Sequence, residues 1–172
     1  PAIAAIGDSV YVVWEDNRNG NYDIYFAHSN NGGQTWSTNV QINDDTGTGS
    51  QYDPSLTANG ENVYAVWMDT RTNGWSVYSA SSNDGGQTWR DNIALSDELS
   101  GTRYADCPPA IAVDGGFLYA VWTDYRDGIN ERLYFARSDD GGQTWSTDVQ
   151  LGGGGNAAQL VPSIAVSGSS LF

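Results

Sequence analysis

Ser138-Asp139-Asp140-Gly141-Gly142-Gln143-Thr144-Trp145 decides the fold, because the chain contains nearly the same eight residues twice more. They return as Ser29-Asn30-Asn31-Gly32-Gly33-Gln34-Thr35-Trp36 and as Ser82-Asn83-Asp84-Gly85-Gly86-Gln87-Thr88-Trp89, with starts 53 and 56 residues apart. A period of that length belongs to repeat architectures. Apolar alternation runs into each copy, and the whole reads as strand, tight turn, strand. The side chain of Asn31, Asp84 or Asp140 is expected to accept hydrogen bonds from backbone N–H groups two residues on. One glycine of each pair supplies the positive φ of the turn. Trp36, Trp89 and Trp145 return apolar surface to the core, each with an indole N–H expected to meet an acceptor near the edge. Asp-Gly-Gly also suggests a metal or phosphate loop, but three copies in one register favour a structural staple, and no chemistry is assigned to them.

A second repeated phrase sets the boundaries. Pro1-Ala2-Ile3-Ala4, Pro54-Ser55-Leu56-Thr57, Pro109-Ala110-Ile111-Ala112 and Pro162-Ser163-Ile164-Ala165 stand 53, 55 and 53 residues apart. The first three lead through a Gly-containing turn to an apolar run ending in Trp14, Trp67 or Trp122. The repeats are therefore 1–53, 54–108 and 109–161, and 162–172 opens a fourth. Within the third, strands are expected at roughly 110–113, 117–123, 131–138 and 147–151 from period-two alternation. A repeated four-stranded unit of about 50 residues is the signature of a β-propeller blade. The fold class is thus all-β: three complete blades of four antiparallel strands and the first strand of a fourth. A propeller closes with about four to eight blades, so the chain is expected to be a piece of a larger ring, or to close by association with another copy.

Composition narrows the partners. The chain has 172 residues, 21 acidic and 7 basic, for a net charge of −14, and every basic residue is Arg. Such a surface repels nucleic acid and anionic membrane. It suits a high-salt or calcium-containing exterior, so an extracellular or cell-surface location is expected. No apolar run reaches the roughly 20 residues that span a bilayer, and any export signal is expected to lie outside these residues. The single Cys107 has no partner for a disulfide or zinc site. The only histidine, His28, reads as a strand residue beside a turn.

The boxes fit the pattern Ser-x-Asp-x-Gly-x-Thr-Trp, and over essentially its whole length the chain resembles the Asp-box, or BNR-repeat, propellers, whose best-known members are sialidases. Asn31 departs from the box Asp, although an amide oxygen still accepts one N–H. The same repeat serves hydrolases, lyases and non-catalytic binding proteins, so the resemblance implies a fold before an activity. It also implies what a sialidase would need: an arginine triad on the substrate carboxylate, a Tyr nucleophile assisted by Glu, and an Asp acid/base. The Arg-Ile-Pro near the start of a sialidase catalytic domain is absent. Only Glu15, Glu61, Glu98 and Glu131 are available as glutamates.

Topology assigns chemistry to a face. In an up-and-down blade the boxes, as third-to-fourth turns, lie away from the second-to-third turns and the blade-to-blade loops. The second-to-third turns each carry an Asp and an Arg two residues apart: Asp16 and Arg18, Asp69 and Arg71, Asp124 and Arg126. A ring of Arg18, Arg71 and Arg126 is suited to a carboxylate or sulfate on an acidic sugar; equally, each Asp can pair with an Arg and stiffen its loop. Site-specific chemistry is expected where the repeats differ, among Tyr52, Asp53, Arg103, Tyr104 and Asp106. No cofactor is expected; calcium is the one candidate ion, at the oxygen-rich stretch Asp16 to Asp23, although its third position is Arg and no bidentate Glu closes it. The leading reading is a glycan- or surface-ligand-binding propeller. The alternatives are a sialidase-type glycosidase completed by further blades and a structural surface-layer or adhesion module.

Overall fold

The computed structural model describes residues 1–72, 74–96, 107–126, 130–152, 161–168 and 170–172. Every element among them is a β-strand, and no helix is long and apolar enough to cross a membrane. The first sheet is β1 (Ala2–Ile6), β2 (Ser9–Asp16), β3 (Asp23–Ser29) and β4 (Val40–Gln41); the second is β5 (Gln51–Asn59), β6 (Asn62–Asp69), β7 (Ser76–Ser82) and β8 (Ile93–Ala94). The third is β9 (Ala110–Asp114), β10 (Phe117–Asp124), β11 (Arg132–Ser138) and β12 (Val149–Leu151). A short hairpin, β13 (Val166–Ser167) with β14 (Ser170–Leu171), opens the next sheet. Within each sheet the strands follow chain order and every pairing is antiparallel, which is the blade topology. The first strands β1, β5 and β9 pack side by side, which makes them the inner strands of the array.

Alternation explains why the second blade is apolar on both faces. Val63, Ala65 and Trp67 of β6 join Tyr11, Val13, Ile24 and Phe26 of the first blade in one core cluster. Tyr64, Val66 and Met68, one residue out of phase, join Leu118, Ala120, Trp122 and Ala136 of the third blade in the other. A strand buried on both sides reads as a near-continuous apolar run, and Asn62-Val63-Tyr64-Ala65-Val66-Trp67-Met68-Asp69 does so.

The end blades differ. Trp67 and Trp122 are buried, but their counterpart Trp14 is only half-buried and lines an apolar groove with Val12, Ala27 and Trp36. Beyond the third blade, Val121, Leu133, Phe135 and Leu151 form a cavity of about 290 Å³ with Ile164, Leu171 and Phe172 of the opening fourth blade. The array presents apolar surface at both ends.

Two local expectations are corrected. The boxes are not tight turns: the fourth strands are only two or three residues long and begin four residues beyond Trp36, Trp89 and Trp145. The segment before Pro54 is not simply loop: Gln51 and Tyr52 already pair with Asp69 and Met68, and the register shifts between Tyr52 and Ser55. Asp53 sits in that bulge with φ 51, a left-handed conformation that Asp tolerates better than most residues.

Candidate functional site

The boxes resolve into repeated hydrogen-bond knots. Ser82 Oγ accepts the amides of Asp84 and Gly86 at 3.3 and 2.9 Å and donates to Asp84 Oδ1 at 2.7 Å. Asp84 in turn accepts the Thr88 amide at 2.9 Å and its hydroxyl at 2.6 Å. Ser138, Asp140, Gly142 and Thr144 repeat this, with the Gln143 amide added to Asp140. In the first box Asn31 Oδ1 accepts the Thr35 amide at 2.9 Å and Nδ2 donates to Thr35 Oγ1 at 2.8 Å. The carboxylate therefore reaches amides three and four residues on, not two; the nearer amide belongs to the Ser hydroxyl. Thr88 and Thr144, through hydroxyl and amide, lower Asp84 and Asp140 to about 2.

The box tryptophans are packing groups. Trp89 meets Phe26 of the preceding blade edge-on with centroids 5.0 Å apart. The expected indole hydrogen bond is not made: Nε1 of Trp89 and of Trp145 is buried without a partner, because the ring is committed to the neighbouring blade. The amides of Gly32 and Gly85 bond the carbonyls of Asp8 and Glu61 in the first turn of the same blade, which places the boxes on the face opposite the second-to-third loops.

On that opposite face each Asp-x-Arg pair closes a clamp. Arg18, Arg71 and Arg126 lie over the rings of Tyr25, Tyr78 and Tyr134 at 4.2, 4.2 and 3.9 Å, a cation–π distance. Each pairs with the Asp two residues before it. Each also reaches the residue just before the fourth strand: Arg18 to Asn39 at 3.0 Å, Arg71 to Asn92 at 3.0 Å, and Arg126 to Asp148 at 3.1 and 2.8 Å. Arg71 further bonds Asp44 of the preceding blade. Asp69 and Asp124 are wholly buried beneath these guanidiniums. Arg18 holds Asp16 well below the usual carboxylate range, mainly through the side-chain hydrogen bond between them. Of the two roles open to these arginines, this geometry is that of the loop-stiffening pair.

The same face carries a second arrangement at the seam of the first two blades. Tyr22, from the β2–β3 loop, contacts Tyr52 of β5 at 5.1 Å, and Tyr52 contacts Trp75 of the β6–β7 loop at 5.6 Å. Glu15, on the side of β2 that faces the second blade, accepts the Asp53 amide at 2.9 Å. The seam beneath is polar: Asn43 donates to Asp23 and Gln51 at 3.0 and 2.9 Å, and Asn21 reaches the Gly49 carbonyl at 2.7 Å. Three aromatic rings and two acidic residues from two blades therefore meet at one rim.

Tyr52 and Asp53 thus fall together, whereas Arg103, Tyr104 and Asp106 lie outside the described residues. Along Asp16 to Asp23, Asp16 is directed at Arg18 and Trp14, and Asp23 is held by Asn19, Gln41 and Asn43. No group of three or more His, Cys, Asp or Glu suited to a metal occurs among the described residues. Cys107 is buried and accepts the Val161 amide at 3.3 Å. The reading from sequence missed Tyr22 and Trp75, which occupy one repeat position and give way to Glu131 in the third blade. It also missed the clamp partners, although Asn39, Asn92 and Asp148 each stand three residues after a box Trp.

The comparisons agree with this architecture. Among curated proteins none is significantly similar in sequence. The Penicillium chrysogenum α-L-arabinanase structure superposes with a TM-score of 0.66 at 16% identity, covering 87% of this chain and 48% of that one. The Hadza microbial sialidase Hz136 gives 0.63 at 16% identity over 84% of this chain and 36% of that one. Trypanosoma rangeli sialidase gives 0.66 at 14% identity over 99% and 33%. The chain thus spans less than half the length of each of these structures. These likenesses are of fold, and the BNR repeat-like domain model matches residues 8–170, which contain all three boxes, so the chain belongs to the BNR repeat-like family.

Proposed function

We propose that the chain is the glycan-recognising part of an exported propeller, with its binding surface at the rim of the first two blades. The aromatic run Tyr22–Tyr52–Trp75 carries this reading. Sugar rings present C–H faces that pack on aromatic rings and hydroxyls that donate to carboxylates, and Glu15 and Asp53 stand beside the run. The rings come from two blades and Tyr52 and Trp75 also pack against the core, so the surface is held in place before a ligand arrives. The arabinanase neighbour holds arabinobiose and the T. rangeli sialidase an inhibitor, which supports a sugar ligand. A glycan array followed by tryptophan-fluorescence titration tests this. Binding that falls at least about tenfold in both Tyr22→Ala and Trp75→Ala supports it; binding unchanged in both contradicts it.

A second reading, a glycoside hydrolase whose site is shared with further blades, is favoured by one contact: Glu15 bonds the residue next to Tyr52, a Glu and a Tyr brought to one rim. Turnover of fluorogenic sialosides or arabinosides by a longer form with added blades, lost in Glu15→Gln, supports that reading.

A further inference from the structure

We infer that the rim site, if it binds glycan as proposed above, selects uncharged sugars and rejects acidic ones. Two independent features of this face lead there. The first is what has become of its cations. The guanidiniums of Arg18, Arg71 and Arg126 are each spent on an Asp two residues earlier and lie against a Tyr ring, and the side chains of Arg71 and Arg126 keep only 14% and 12% of their exposure. Arg126 gives Nε, Nη1 and Nη2 to Asp124 and Asp148. Arg18, 43% exposed, is held by Asp16 through a single guanidinium nitrogen, but at Arg71 and Arg126 a ligand carboxylate would have to displace Asp69 or Asp124, each wholly buried and in contact with two guanidinium nitrogens. That exchange leaves a buried charge unpaired.

The second is the charge around the aromatic run itself. Asp23 follows Tyr22 directly, and its acceptors are filled by the neutral amides of Asn19, Gln41 and Asn43. Asp45 takes the Gly47 amide and the Gln51 side chain, and Gln51 adjoins Tyr52. Glu15 takes a backbone amide. None of these three carboxylates is in an ion pair among the described residues. Their field repels an anion approaching the rim; Asp23 is buried and adds charge only, whereas Glu15 and Asp45, both partly exposed, are acceptors for the hydroxyls of a polyol whose C–H faces suit the rings. The arginines that a sequence reading offers to an acidic sugar thus serve the fold, and the surface they leave is anionic.

The test is calorimetric titration of the chain with a linear arabino-oligosaccharide and, separately, with sialyllactose, at low and at physiological salt. The uncharged sugar is expected to bind at least about tenfold more tightly at low salt, the scale set by three like charges at roughly 8 Å in a water-like dielectric. The gap should narrow as salt screens the field. Trp75→Ala and Tyr22→Ala should weaken the uncharged sugar. Sialyllactose binding as tightly or more tightly, above all if Arg103→Ala or Arg132→Ala abolishes it, overturns the inference and leaves glycan recognition standing. Failure of both sugars to bind, with a panel of other neutral oligosaccharides also silent, overturns glycan recognition itself.

Discussion

At the scale of single residues, two substitutions separate conformation from packing. Gly33 and Gly86 share φ +86, but a Cβ on Gly86 would lie 2.1 Å from Phe26, whereas one on Gly33 meets only Trp36 at 3.8 Å. Gly33→Ala should therefore cost about 1 kcal/mol for the left-handed backbone, and Gly86→Ala about 1–3 kcal/mol more for the collision. Chemical denaturation of the two variants checks the order. The boxes also predict an acid response. Asp84 and Asp140 are depressed in the fold from 3.8 to about 2, so their contribution is complete above pH about 4 and is lost as pH falls towards 2. In Asp84→Asn/Asp140→Asn that part of the acid transition should flatten, and stability near neutrality should fall by about what the parent chain loses there on acidification, because Asn31 shows the same knot made without the charge. Asp84→Ala should cost about 1 kcal/mol, as for other side-chain oxygens that cap backbone amides. Circular dichroism across pH 2 to 5 distinguishes them.

At the scale of elements, the clamp explains how fourth strands of two or three residues hold to the blade. Each guanidinium ties the end of the second strand, a Tyr of the third and the residue before the fourth. Arg126→Ala strands Asp124, whose side chain is wholly buried, and should cost about 3–5 kcal/mol; Asp124→Asn in that background should restore part of it. Arg18→Ala, on an exposed pair, should change stability little. Urea unfolding of the three variants is the check. The repeat made much of this legible: two phrases at fixed spacing give the blades, and strand alternation gives the faces. What pattern could not supply was partnership across the sheet. Tyr25, Tyr78 and Tyr134 lie 11 or 12 residues from the Trp they pair with, and nothing in the local sequence says that an arginine will settle on them. Tyr22 and Trp75 carry no repeat signal, because the third blade has Glu131 at their position.

At the scale of the whole molecule, the internal seams show what the open ends fit. Phe26 fills the space beside Gly86 and Trp89, and Phe135 holds the same repeat position in the third blade, while Trp36 of the first blade is exposed and lines an apolar groove. The chain alone is expected to self-associate through these ends as concentration rises, and Trp36→Ser should reduce this with little change in unfolding temperature. Light scattering after size exclusion reads the mass directly. In the proposed function the two faces divide the labour: knots on one side staple the blades, and the unequal loops on the other would present rings and carboxylates to a ligand. Hydrogen exchange with and without a saturating neutral oligosaccharide tests that division most directly. Protection confined to residues 15–23, 49–53 and 69–76 is the predicted result; protection centred on the boxes at 29–36, 82–89 and 138–145 would contradict it.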